Sequence, residues 1–177
     1  MRKALPVVVL PMLILTVGCS CSVDPASLHA VNRLGHCADS LQGRLLAMDT
    51  AALWQMRERF ATEQEAIRQR FQDTLPLAEA QVLGNYWRAM DGSLPRIIDD
   101  RARLLALLKG SSRRMEQLQH DLCNGRIGMK EMQAALSVEN AWCARHAMEV
   151  RNVETGAEQL ASERTNLRAA AVELLQP

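Results

Sequence analysis

From Asp24 onward, apolar residues recur at intervals of three and four, the spacing that places side chains on one face of an α-helix. The last stretch is the clearest. With Met129 as position a of a seven-residue repeat, the a series continues through Leu136, Cys143, Val150, Ala157, Arg164 and Ala171. The d series runs Met132, Glu139, His146, Val153, Leu160, Leu167 and Leu174. Only Glu139, His146 and Arg164 depart from an apolar or cysteine seam, and the pattern outlasts the three or four heptads that already indicate coiled-coil packing.

The middle stretch repeats the pattern after Pro76, a residue suited to a first helical turn. Its a positions are Ala80, Trp87, Leu94, Arg101, Leu108, Met115 and Leu122; its d positions are Leu83, Met90, Ile97, Leu104, Ser111 and Leu118. Gly92-Ser93 and Pro95 would ordinarily read as a loop, yet the repeat passes through them in phase, which predicts a kink within one continuous helix. The first stretch opens at Asp24-Pro25, a cap followed by an N1 proline. Val31, Leu34, Ala38, Leu41, Leu45 and Met48 line one face. Leu53, Met56, Phe60 and Ile67 resume it one residue out of phase, and Asp49-Thr50 at the slip would cap a new helix.

Turns are marked at Thr74-Leu75-Pro76, where the residue before proline leaves helical space, and at Asn124-Gly125-Arg126-Ile127-Gly128. No sustained period-two alternation argues for strands. The pattern therefore predicts an all-α fold: an elongated antiparallel three-helix bundle with coiled-coil-like heptad packing. Its helices would run about 25–73, 76–123 and 128–176, each about 72 Å long. The alternative is a four-helix arrangement with a break at Asp49-Thr50.

The N-terminus belongs to a different class of segment. Met1-Arg2-Lys3 is followed by an uncharged run from Ala4 to Val17, interrupted by Pro6 and Pro11. That run is too short for the roughly 20 residues of a membrane-spanning helix and has the layout of a secretory signal. Leu15-Thr16-Val17-Gly18-Cys19 resembles the lipobox of bacterial lipoproteins, although Thr16 stands where members usually carry Leu. Cys21, after Ser20, is an alternative acceptor. The resemblance implies cleavage before Cys19 and acylation of that cysteine. It divides the chain into a signal peptide (1–18), a lipidated tether (19–24) and a helical domain (25–177). Two or three acyl chains anchor a protein essentially permanently. Because Ser20 is not Asp, the family's sorting rule implies the outer membrane, with the domain facing the periplasm.

Arg2 and Lys3 leave with the signal, so 21 basic and 20 acidic residues reduce to a nearly neutral domain of roughly 160 residues, large enough for one core. That balance gives no reason to expect nucleic acid, and 3% aromatics disfavour base-stacking platforms.

With Cys19 carrying lipid, Cys21, Cys37, Cys123 and Cys143 remain, an even set in an oxidising compartment. Antiparallel helices turning near residues 75 and 126 place residue 37 level with about residues 113 and 139, some 6 Å along the axis from Cys143. Cys123 falls level with about residue 27, within reach of Cys21. The expected disulfides are Cys37–Cys143 and, with less support, Cys21–Cys123. Other pairings would span about 20 Å against a Cα limit near 7 Å. Reduced core cysteines are the alternative.

The same registers gather all four histidines at the tether end. His29, His120 and Cys123 form one layer, and His36, Cys37, Cys143 and His146 form another. His120-x-x-Cys123 and Cys143-x-x-His146 have a spacing that can chelate Zn²⁺ or Cu⁺. Disulfides would consume the thiolates, and Met115, Met129 and Met132 read as core filler. The expectation is no resident metal, with the second layer as the candidate cluster. His146 is alternatively a polar seam residue that sets register.

No P-loop, dinucleotide fingerprint, GxSxG elbow or HExxH occurs. Asp99-Asp100 and Glu63-x-Glu65 read as solvated, ion-paired surface, and Trp54, Tyr86 and Trp87 as core before ligand groove. No catalytic residue and no cofactor is expected. The sequence reads as a lipid-anchored, non-enzymatic envelope module acting on a protein partner or on a second copy of itself. Alternatives are an envelope metal-binding lipoprotein and a holdase-like chaperone.

Overall fold

The computed structural model describes residues 24–71 and 75–174. The signal, Cys19 and Cys21 lie outside the described residues. The described chain is helical throughout, with no strand: α1 is Pro25–Ala47, α2 Thr50–Arg70, α3 Leu77–Trp87, α4 Leu94–Cys123 and α5 Met129–Glu173, with a π-helical segment at Arg88–Ser93. None of these helices is long and apolar enough to cross a membrane.

The expected unbroken first helix is corrected. Met48 adopts an extended conformation, and Asp49 caps α2 by accepting from Ala52 N–H at 2.9 Å. The break falls where the apolar phase slips. A straight helix would have carried Leu53, Met56 and Phe60 off the core face, whereas the break lets both halves bury their own stripe. The four-helix alternative matches this arrangement.

The middle helix does run unbroken from Leu77 to Cys123. It absorbs Gly92-Ser93-Leu94-Pro95 in a wide π turn, in which Leu94 N–H bonds to the Ala89 carbonyl. Pro95 lacks an N–H and crowds the carbonyl four residues back, so a locally widened ladder accommodates it.

Local chemistry fixes the remaining ends. Asp24 accepts from Ser27 N–H at 3.1 Å and from its hydroxyl at 2.8 Å, with Pro25 in the first turn. These bonds, the Ser27 hydroxyl first, hold the Asp24 carboxyl below its usual pKa. At the far end of α4, Gly125 takes φ +63°. Gly125 N–H bonds to Leu122 O, and Arg126 N–H to Asp121 O, the paired bonds of a Schellman stop. Glu131 then reaches back to Gly128 N–H at 3.2 Å to start α5.

α1 and α5 both pack against α4 and against each other, α3 packs on α5, and α2 packs on α4 and the π segment. Asp39 meets Ser112 at 2.7 Å, and Gly35 lies against Met115. Arg103 meets Glu149 at 3.1 Å, and Gly156 lies against Ile97. These pairs fit the two antiparallel registers expected from the turns. The core forms two clusters. One, at the end bearing the α1 N-terminus, contains Val31, Leu34, Met115, Leu118, Leu122 and Met132; the larger runs from Ala38 and Leu108 to Ala171.

Candidate functional site

The end bearing the α1 N-terminus was expected to gather most of the residues with chemistry to offer. Cys37 and Cys143 are disulfide-bonded, with Cα atoms 6.7 Å apart and 106 residues between them in sequence. The register derived from the turns identified this pair. Cys143 packs against both core clusters, so the bond lies where the two cores meet. Cys123 is disulfide-bonded as well; Cys21, its expected partner, lies outside the described residues.

The histidines do not form the expected layers. His29, His36 and His120 are exposed, and only His146 is buried, at 2% exposure. His36 follows the helix around by about 100° from Cys37, so both cannot face one seam. No three His, Cys, Asp or Glu side chains among the described residues gather where a metal could sit. The layer His36, Cys37, Cys143 and His146 is thus reduced to a disulfide beside one buried imidazole, a poor donor set for Zn²⁺ or Cu⁺ because thiolates are the ligands that would select them.

His146 sits with both ring nitrogens unpartnered among the described residues, its ring tilted against Trp142 at 5.1 Å. Burial disfavours the charged ring and holds its pKa below the ordinary value of 6.5. Glu149 and Glu139 favour the charged ring and Arg145 and Arg103 oppose it, but burial is the largest influence and favours the neutral form.

Between the two core clusters lies a polar layer only partly visible in the sequence. Ser111 and Glu139 are buried, and the Ser111 hydroxyl donates to Glu139 at 3.2 Å. Arg114, half-exposed, closes on the same carboxylate and on Ser111 Oγ. Glu139 stood out as a charged d position. Arg114, one residue from its expected level on α4, was the missed partner.

Phe60, Tyr86 and Trp87 fill the opposite half. Phe60 meets Tyr86 and Trp87 edge-on, at 5.6 and 5.4 Å. Tyr86 is buried and hydrogen-bonds to Glu63, which also accepts from Arg168 at 2.7 Å. Burial, then the Glu63 bond, raises the Tyr86 pKa. This cluster ties α2, α3 and α5 together, and Tyr86 and Trp87 are core. Trp54 is half-exposed, with Arg57 over its ring at 5.3 Å. Asp100 pairs with Arg96 and Arg103, and Gln69 bonds to Glu65, as a solvated, paired surface would.

Among the open grooves of the described residues, two differ in character. A polar one of about 420 Å³ between α4 and α5 is lined by Arg96, Asp100, Arg103 and Glu149, whose charges already pair with one another. An apolar one of about 450 Å³ opens at the α1–α2 break, lined by Met48, Leu53, Met56 and Ala157 and edged by the Arg44–Glu154 pair. Taken together, the fold is an all-helical bundle stapled by a disulfide. Comparison of the chain with protein-family models, curated proteins and solved structures returned no match.

Proposed function

We propose that this chain is a lipid-anchored, non-enzymatic interaction module of the bacterial cell envelope. In this reading it is held at the outer membrane by acylation of Cys19 and faces the periplasm. The Cys37–Cys143 disulfide carries the reading, because such bonds persist outside reducing compartments. The signal-like N-terminus and the Cys19 lipobox supply the export route and the anchor. Helix faces, rather than a pocket, would meet the partner, since four of the five charged residues lining the polar groove, Arg96, Asp100, Arg103 and Glu149, are already paired.

Metabolic labelling with radioactive palmitate tests this reading in the full chain. Label should enter the wild type and disappear in Cys19→Ser. Label lost only in Cys21→Ser moves the anchor by two residues. An unlabelled wild-type protein that stays in the soluble fraction overturns the reading.

The apolar groove at the α1–α2 break supports a second reading, a holdase-like chaperone cradling an unfolded segment. An equimolar amount of the protein should then suppress light scattering from a heated reporter enzyme, and Met56→Glu should abolish the effect. Unchanged scattering removes that reading.

A further inference from the structure

The outward side of α5 repeats the spacing of its inward side. Ala134, Val138, Ala141, Arg145 and Met148 begin a second seam of exposed positions, spaced four and three apart, that continues to Ala169. Arg145 is its single charge, and Glu149 one turn on neutralises it at 3.1 Å. Val138 and Met148 are more than half exposed, and exposed Trp142 lies beside them. The outward side of α4 differs sharply, with Arg96, Asp99, Arg103, Arg113 and Glu116 all facing solvent. A soluble helix with nothing to meet carries charged or polar residues on its outer face; the α5 seam is polar from Asn152 to Asn166 but departs from that rule at Val138 and Met148, with Trp142 beside them.

We infer that this face of α5 pairs with the same face of a second copy of the chain, antiparallel, about a two-fold axis near residues 153–154. The inference names a partner for the interaction module proposed above, and it does not depend on the anchor. Charge selects the orientation. Antiparallel pairing sets Arg151 against Glu158 of the second copy, twice, at the positions that flank the seam. Parallel pairing would instead set Glu158 against Glu163 of the second copy, twice, and like charges at flanking positions select against a partner.

Along the seam, Asn152 meets Thr155 of the second copy on both sides of the axis, each able to donate and accept a hydrogen bond. Met148 fits beside Gln159 of the second copy, and Ala141 beside its Asn166. The alanines allow the helix axes to approach to about 8 Å. The seam is about 54 Å long, and a strip about 10 Å wide on each copy buries in total roughly 1,100 Å², the lower bound for a specific interface. The two tether ends then lie at opposite ends of the pair, about 70 Å apart.

Cross-linking of the full chain in detergent solution tests this arrangement, using a short bismaleimide and one added cysteine per chain. Ala141→Cys and Asn166→Cys chains should each remain monomeric alone and form a covalent dimer of twice the chain mass when mixed. Arg151→Glu should lower that yield several-fold, and Arg151→Glu with Glu158→Arg should restore it. Self-cross-linking of either chain without gain on mixing would show parallel pairing and overturn the inference. So would a mixed yield no higher than that of an Arg113→Cys control on α4, or no dimer at all. Palmitate incorporation in the same preparations reports the anchor separately, so either idea can fail alone.

Discussion

The two halves of the bundle are held together by different means. At the end bearing the α1 N-terminus the seam is diluted by Ser111 and Glu139, and the apolar core there is a small cluster cut off by the Ser111–Glu139–Arg114 layer. A covalent bond, Cys37–Cys143, crosses where the clusters meet. In the far half the core is larger and continuous, and Phe60, Tyr86 and Trp87 interlock α2 with α3. The described residues there contain no disulfide. One half gains fixity by constraining the unfolded chain, the other by burying aromatic surface. The polar layer lets a cross-linked end and a packed end coexist in one rod.

Substitutions that remove each device should separate these halves, and the largest effect is expected in the packed one. Phe60→Ala deletes a buried ring with two edge-on partners and should cost about 3–5 kcal/mol. Urea unfolding followed by near-ultraviolet circular dichroism should show the loss, with the Cys37–Cys143 bond intact on a non-reducing peptide map. A cost under about 1 kcal/mol would mean that α2 is not part of the cooperative core.

Next in size is the staple. Replacing Cys37 and Cys143 together by Ser should cost about 2–4 kcal/mol, which lowers Tm by about 2–4 °C per kcal/mol for a chain of this size. Hydrogen exchange should place the loss at the tether end: amides of α1 and of the Asn124–Gly128 turn exchange faster, while α3 does not change. Equal acceleration in both halves would erase the contrast.

A smaller effect of opposite sign is expected at the layer between them. Glu139→Leu removes a buried carboxylate whose partner Arg114 is half-exposed and can return to water. Replacing such a pair with apolar packing is neutral to stabilising, here by about 1 kcal/mol, and it would join the two clusters. A loss above about 2 kcal/mol would show that the layer sets register rather than merely dividing the core.

The same contrast explains what the sequence disclosed. Helix periodicity and turn positions set the levels at which Cys37, Cys143, Ser111 and Glu139 meet, because a repeat near 3.5 residues per turn fixes axial height well. Azimuth was less legible. Met129, assigned to the seam, is half-exposed at the start of α5 and receives a contact from the Ser27 hydroxyl at 3.7 Å. A helix's first residue has no preceding turn to cover it. His36 failed for a related reason: equal height does not mean equal facing. The break at Met48–Asp49 was marked by a one-residue phase slip and a capping aspartate, yet no glycine or proline forced it, so an unbroken helix fitted the sequence equally well. The outer seam of α5 lay in the same numbers but stood out only once burial showed which face was inward.

The smallest expected effect concerns His146, one turn past the disulfide at the junction of the two halves, where burial adds a pH dependence without a large loss of stability. Its imidazole is buried and unpartnered, so the native pKa lies below 6.5 while the unfolded ring titrates near that value. Between those two values the unfolded state binds the extra proton, and by linkage stability rises with pH across that interval. Stability should therefore be flat above about pH 6.5, fall as the pH drops through it, and level off once the native ring also protonates. His146→Leu should remove this slope and, because no hydrogen bond is lost, should cost less than about 1.5 kcal/mol at pH 7.5. Tyr86, its pKa raised by burial and by the bond to Glu63, titrates far above this window and contributes nothing there. Chemical denaturation at half-unit steps from pH 5 to 7.5 would read the slope. The same slope in wild type and variant would mean that the ring reaches water or a partner.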